Sequence, residues 1–251
     1  MTVGGFWGRL RKGRDRGSVE IGVAFGGVLL VVGALAGNGA AATVVDMSDG
    51  QAWLPGEDGS IVQVNPATGV AERRLIVTDD GTELSIAQHD GELIVTDETS
   101  GVITAVDLAA LVASGSRVAN GDERVVIGGG MVALIDTDPG TVRAVDPLTL
   151  ADLGAPYRTE APIADAAVDG EGDVWVLTEK GSLIQLEYSA KAGTFRTGED
   201  RKVAGAGSES RLVAHELGVT VLANDAGAGE QVGSGSEKAG TVTDLSGYVD
   251  S

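Results

Sequence analysis

A glycine followed by a short apolar run occurs four times along this chain at nearly constant spacing. The four glycines are Gly50, Gly91, Gly130 and Gly172, and the intervals between them are 41, 39 and 42 residues. A period of about forty residues is typical of stacked supersecondary units. The chain is therefore expected to repeat one small structural unit.

Each repeat also has a second half. A further glycine follows nine or ten residues after the first, at Gly59, Gly101, Gly140 and Gly181. Apolar residues stand two and five positions after it, and the sixth position holds Asn65, Asp107, Asp146 or Glu187. Two short strands per repeat, with glycine turns between them, favour propeller blades over helical solenoids. The sequence predicts an all-β β-propeller of about five blades, each of about 40 residues.

Apolar residues occupy both faces of the repeat strands, as a sheet packed between two neighbours requires. Trp53 and Trp175 fall at matching points of the first and fourth repeats. We expect both rings to be buried between adjacent blades rather than to form a ligand platform. A strand over Thr43-Val44-Val45 is expected just before the first blade.

The N-terminal segment predicts a membrane anchor. Basic residues cluster between Arg9 and Arg16, and residues 21–42 are almost entirely apolar or glycine. As a helix this stretch is roughly 33 Å long, enough to cross the hydrocarbon core. Positive charge before the span keeps that end in the cytoplasm. Two alternatives remain open: an uncleaved signal anchor, or a signal peptide cut after Ala40-Ala41-Ala42.

The predicted organisation is a basic cytoplasmic tail (residues 1–18), a transmembrane helix (19–42) and an extracytoplasmic repeat domain (43–251). The formal net charge of the whole chain is −19. Residues 1–20 carry a net charge of +3, so the remaining residues carry a net charge of −22. So acidic a domain repels phosphate groups, which argues against nucleic-acid binding. The chain has no cysteine, which excludes disulfides, thiolate metal sites and a cysteine nucleophile.

The fifth repeat is irregular. Val219 to Leu222 form a good strand pattern, but residues 225–240 are dominated by small and flexible residues. This stretch predicts a flexible glycine-rich insertion that delays the second strand to Gly240-Thr241-Val242. The last sheet is then short of strands. An exposed edge is expected near residues 219–223. We expect the domain either to be partly open, with a mobile end after Asp225, or to self-associate through that edge.

Two phrases resemble a known blade. Asp49-Gly50-Gln51-Ala52-Trp53-Leu54 with Gly59 to Gly69, and Asp169 to Val176, are similar to the blades of NHL, YVTN and virginiamycin-B-lyase-like propellers. Together with the basic tail and single span, they make the chain resemble membrane-anchored actinobacterial surface proteins in which fibronectin type III or Ig-like domains follow a propeller. This chain contains no fibronectin-type segment. The resemblance implies that it corresponds to the anchored N-terminal part of such a protein.

The two histidines are the main candidates for catalysis. A lyase of the virginiamycin type needs a catalytic histidine with a nearby carboxylate and a divalent metal. His89-Asp90 and His215-Glu216 are adjacent pairs, but neighbouring residues on a strand point to opposite faces. His89 stands two residues before Gly91 and His215 three before Gly218, which suggests that they occupy non-equivalent blade positions. We predict no catalytic residue.

The remaining candidates have simpler explanations as turns. Asp169-x-Glu171-x-Asp173 and Asp136-x-Asp138 alternate carboxylates, a pattern that can bind calcium, but neither has the downstream bidentate glutamate. Gly128-Gly129-Gly130 has no phosphate-loop lysine or following helix. We predict no metal-binding or cofactor-binding residue and no cofactor.

Two functions are compatible with the sequence. The first is a membrane-anchored module at the cell surface that binds or scaffolds a protein or cell-wall partner. The alternative is a lyase-like or hydrolase-like propeller enzyme acting on an exported small molecule. A central funnel with converging histidine and carboxylate groups distinguishes the second from the first.

Overall fold

The structure is a computed structural model, and it describes residues 44–45, 52–78, 83–216, 218–223, 228–233 and 242–244. These residues form twenty β-strands and no helix. The strands belong to five sheets that follow one another along the chain. This confirms the prediction of an all-β fold built from five repeats of about forty residues.

Each sheet is one blade of a β-propeller. Blade I contains β2 (Ala52–Pro55), β3 (Ser60–Asn65) and β4 (Val70–Ile76). Blade II contains β5 (Leu84–His89), β6 (Glu92–Asp97), β7 (Val102–Asp107) and β8 (Val112–Val118). Blade III contains β9 (Glu123–Gly128), β10 (Met131–Asp136), β11 (Thr141–Val145) and β12 (Tyr157–Arg158). Blade IV contains β13 (Ile163–Val168), β14 (Val174–Thr178), β15 (Ser182–Ser189) and β16 (Thr194–Lys202). Blade V contains β17 (Arg211–His215), β18 (Gly218–Ala223), β19 (Ala228–Gly233) and β20 (Val242–Asp244).

Within the described ranges, blade I has three strands and no counterpart of the first strand of the other blades. The expected strand before it does form, as β1 (Val44–Val45), but it pairs in parallel with β5 of blade II. Its partners are Ala87 and Gln88. Among the residues that the structure describes, β2 of blade I pairs only with β3. The sequence predicted the strand; its partner depends on long-range backbone pairing that the local pattern does not encode.

Short turns explain the repeating glycines. The β5–β6 hairpin turns through Asp90 and Gly91, with φ of 44° and 85°, and the β9–β10 hairpin through Gly129 and Gly130, with φ of 51° and 76°. Two successive positive φ angles are characteristic of the type I′ hairpin turn, which glycine and aspartate tolerate best. These turns bring the first and second strands of a blade into register.

The polar sixth position of the repeat stabilises the next turn. The Asp107 carboxylate accepts the backbone N–H groups of Ala109 and Ala110, at 2.8 and 3.0 Å. Asn65 and Asp146 accept hydrogen bonds within the equivalent turns. Hydrogen bonds from the N–H and hydroxyl of Thr149 lower the pKa of Asp146. A side-chain oxygen here replaces a backbone acceptor and fixes the turn between the third and fourth strands.

Four apolar cores fill the spaces between consecutive blades. Trp53, Ile61, Leu93 and Val95 belong to the core between blades I and II, and Trp175, Leu177, Val219 and Val221 to the core between blades IV and V. The cores between blades II and III and between blades III and IV are built in the same way. Trp53 is 2% and Trp175 0% exposed, so both rings are buried between adjacent blades as predicted.

The five blades do not close into a ring. No apolar core among the described residues joins blade V to blade I, and the sheets form an open arc. Blades I and V are therefore terminal. Each has one face packed against a neighbour and one face on which no other described blade packs.

Two predictions about blade V are wrong. Its strand after β18 is β19 (Ala228–Gly233), which lies inside the expected flexible insertion and pairs with β18 over six residues. Residues 242–244 form the fourth strand, β20, rather than a delayed second one. Pairing needs backbone N–H and C=O groups, which a stretch rich in small residues still supplies. As a consequence β18 is paired on both sides, and residues 219–223 are not an exposed edge.

Candidate functional site

The two histidines occupy equivalent positions, contrary to the sequence-based expectation. His89 is the last residue of β5 and lies opposite Glu92, and His215 is the last residue of β17 and lies opposite Gly218. The spacing was misleading because Gly91 is a turn residue, whereas Gly218 is the first residue of a strand. The two histidines nevertheless belong to blades II and V, which are not neighbours in the arc.

A narrow cleft lies beside His89, between blades I and II. It is lined by Trp53, Gln88, His89, Asp90, Gly91, Glu92 and Leu108. Among the described residues, neither Trp53 Nε1 nor Glu92 Oε2 has a hydrogen-bond partner, although both atoms are buried. Burial raises the pKa of the Glu92 carboxyl, while the charge of His89 opposes that rise. His89 Nε2 lies 3.4 Å from Asp90 Oδ2.

The cleft is narrow. The space between its walls is about 190 Å³, a figure that includes open solvent. The cleft brings a histidine, a carboxylate and an indole together.

The alternating carboxylates of blade IV form a turn. Asp169 Oδ1 accepts the backbone N–H groups of Glu171 and Asp173, both at 3.0 Å. Its other oxygen accepts the Trp175 indole N–H at 2.8 Å. Burial raises the pKa of Asp173, against a hydrogen bond from Gln185. The Asp169 carboxylate therefore fixes the β13–β14 turn and the Trp175 ring, and both of its oxygens are used by the protein.

The other candidates also lie in turns and strand ends. Asp136 is the last residue of β10, and Asp138 lies in the turn that follows. Gly129 forms the β9–β10 turn and packs against Gly172 of blade IV: a Cβ at Gly129 would lie 2.2 Å from the Gly172 backbone nitrogen. Within the described ranges no three histidine or acidic side chains are grouped as metal ligands.

Polar bridges connect the first strands of blades III, IV and V through the buried Asp165. Arg124 Nη2 of β9 lies 2.7 Å from Asp165 Oδ1 of β13. The other oxygen of Asp165 accepts the backbone N–H of Leu212 in β17, also at 2.7 Å. A comparable bridge joins blades I and II, where the backbone N–H of Trp53 donates to Gln88 Oε1 at 2.7 Å. These polar contacts between first strands hold neighbouring blades together.

The outward face of blade I differs most from its counterparts in the other blades. Leu54 takes the same strand position as Val95, Leu134, Val176 and Val221, all of which point toward the preceding blade. Those four are 0–2% exposed, whereas Leu54 is 37% exposed. Val62 and Val64, on the same face of β3, are half-buried. Ala52, on the same face of β2, is buried. We call Ala52, Leu54, Val62 and Val64 the blade I face, which is open mainly at Leu54.

Blade V has a corresponding face on its other side. Val219 and Val221 point toward blade IV, so Thr220 and Leu222 point away from it. Leu222 takes the position of Ile135 and Leu177, which are fully buried, but is itself only half-buried. We call Val213, Thr220 and Leu222 the blade V face. Sequence reasoning missed both faces, although the aligned repeats already placed an apolar residue at the outward position of the first blade.

Comparison with solved structures supports the propeller fold. The chain is similar to Hsv2p from Kluyveromyces lactis, with a TM-score of 0.58 and 14% identity over 83% of this chain and 75% of that one. It is similar to virginiamycin B lyase from Staphylococcus aureus (TM-score 0.55, 8% identity, 78% and 66%). It is also similar to BamB from Moraxella catarrhalis (TM-score 0.54, 14% identity, 78% and 62%).

These are β-propeller proteins, and at such identities the likeness shows the fold alone. The chain spans less than two thirds of the length of the lyase and of BamB. No protein-family model matches the sequence, and no curated protein matches it.

Proposed function

We propose that the chain is a membrane-anchored extracytoplasmic propeller that acts as a binding or scaffold module at the cell surface. The observation that carries this proposal is the blade I face, where Leu54 is 37% exposed although its counterparts are 0–2% exposed. An apolar sheet face left open in a soluble domain is a typical contact surface for another protein. A protein partner is therefore favoured over a cell-wall partner.

Membrane attachment rests on the sequence. The basic cluster between Arg9 and Arg16 and the apolar stretch 21–42 support a single span with the blades outside the cytoplasm. Both segments lie outside the described residues. Within the part of the chain that the structure describes, no helix has the length and hydropathy needed to span a bilayer.

No specific observation favours the enzyme alternative. The lyase among the similar structures shares the fold, and a propeller fold does not carry an activity with it. His89 and His215 lie on blades that are not neighbours along the arc. The proposed role as a binding or scaffold module requires only the blade I face.

Labelling in intact cells tests location and binding together, because the natural chain has no cysteine. Leu54→Cys places a thiol on the blade I face, and Val112→Cys places one on the outer strand of blade II, at a side chain that is 50% exposed. A maleimide that cannot cross membranes is expected to label Val112→Cys on intact cells. Leu54→Cys is expected to be protected in cells and labelled in the purified protein at high dilution.

Two results contradict the proposal. Labelling of Val112→Cys only after lysis places the blades in the cytoplasm. Equal labelling of both variants in intact cells shows that nothing covers the blade I face.

A further inference from the structure

We infer that the partner of the blade I face is the blade V face of a second copy of this chain, so that copies associate head to tail. This inference rests on the proposed binding role and names the partner. It arises from the repeat itself, because the two terminal faces are the two halves of an interface that the arc already makes four times.

The equivalent contacts inside the arc show how the faces fit. Leu177 of blade IV and Val221 of blade V belong to one apolar core, and Ile135 of blade III and Val176 of blade IV belong to another. Leu222 has the strand position of Leu177 and Ile135. Leu54 has the position of Val221 and Val176. Bringing Leu222 of one copy against Leu54 of the next therefore repeats an established packing arrangement.

Charge does not obstruct this contact at its centre. On blade I, Arg74 lies opposite Val62, and its guanidinium is paired with Asp58 at 2.9 Å. On blade V, Arg211 lies opposite Leu222, and its Nη1 donates to the backbone carbonyls of Ser208 and Ser210, at 3.3 and 2.9 Å. Both guanidinium groups therefore already have partners within the chain, and the apolar residues between them are uncharged.

The contact joins two different surfaces. Such a heterologous contact leaves one free face at each end of the assembly. The net charge of −19 makes copies repel one another at a distance. Salt screens that repulsion without weakening apolar burial, so association is expected to strengthen as ionic strength rises.

Cross-linking of two cysteine variants tests the pairing directly. Leu54→Cys and Leu222→Cys are made separately in the whole chain of 251 residues, solubilised in detergent, and mixed. Packed sheets lie about 10 Å apart, beyond a disulfide, so a short bis-maleimide is used. The mixture is expected to give a covalent dimer, at least about tenfold more than either variant alone, and more at high salt.

The matched control replaces Leu54→Cys by Val112→Cys, whose thiol is as accessible but lies on the outer strand of blade II. A dimer yield no higher than this control overturns the inference. So does efficient cross-linking of Leu54→Cys with itself, which indicates that two blade I faces meet. Cross-linking within one chain in the Leu54→Cys/Leu222→Cys double variant also overturns it, because the arc then closes on itself. Circular dichroism confirms that each variant is folded.

The two proposals fail differently. Protection of Leu54→Cys in cells without cross-linking between copies keeps the binding role and removes the second copy as partner. Free labelling of Leu54→Cys in cells removes both.

Discussion

Leu54 and Leu134 provide a matched test of the open arc, because the same residue type occupies the same strand position in blades I and III. Leu134 is fully buried against Val132 and Val145. Truncation to alanine there removes apolar contacts and leaves a cavity, at a cost of about 2–5 kcal/mol. The same change at Leu54 acts on a side chain that is 37% exposed.

The expected cost at Leu54 follows from its burial. A leucine side chain has three more carbon groups than alanine. At about 0.8 kcal/mol per group, their full burial stabilises the folded state by about 2.4 kcal/mol. Leu54 is only partly buried, so its truncation is expected to cost about 1.5 kcal/mol. No cavity term is added, since solvent reaches the truncated site. The Leu54→Ala variant is therefore expected to be more stable than Leu134→Ala by about 0.5–3.5 kcal/mol.

Urea unfolding followed by far-UV circular dichroism measures both values at a protein concentration where the chain is monomeric. The slopes of the two transitions must agree for the comparison to hold. Equal losses in the two variants would refute the reasoning, because they require Leu54 to be packed as tightly as its counterparts. The blade I face would then be covered by the chain itself.

Three further predictions concern single contacts. Trp175→Phe removes the indole N–H that donates to Asp169 at 2.8 Å. Its free energy of unfolding is expected to fall by about 1.5–3 kcal/mol in the same urea assay. A loss well below that shows that the buried carboxylate does not need this donor. Because burial raises the pKa of Glu92 above its ordinary 4.5, folding stability is lost as pH rises through the folded-state pKa. Glu92→Gln is thus expected to raise the thermal midpoint at neutral pH but not well below pH 4.5, and a gain that is the same at both pH values contradicts this origin. Gly129→Ala puts a Cβ 2.2 Å from the Gly172 backbone nitrogen, whereas the Cβ of Gly130→Ala meets nothing within 4 Å, and both residues have a positive φ. Gly129→Ala is therefore expected to have the lower thermal midpoint. Equal midpoints rule out a rigid contact between blades III and IV.

The regular blades were predictable because their signals are local. Turn glycines need positive φ, and alternating apolar residues need two buried faces, so the repeat itself specifies strands, turns and the burial of Trp53 and Trp175. The polar residue six positions after the second glycine was also visible, and its hydrogen bonds to the next turn explain its recurrence. No tertiary information is needed for these features.

The irregular blade was less predictable. Residues 228–233 contain a single β-branched residue, Val232, yet they pair with β18. Strand formation there depends on the backbone hydrogen bonds that β18 offers, and composition does not report such a partner. The equivalence of His89 and His215 was missed for a related reason, because strand register rather than residue counting decides which residues lie opposite one another.

The sequence by itself determined the number of repeats, the all-β class and the apolar character of every blade face, since these follow from residue type and spacing. Only the tertiary structure decided which apolar faces are covered. Leu54 and Leu134 are the same residue at the same position of the same motif. They differ in burial because, among the described residues, a blade packs in front of Leu134 and none packs in front of Leu54. Burial is a property of neighbours in space, and the open ends of the arc arise from the assembly of the blades rather than from any one of them.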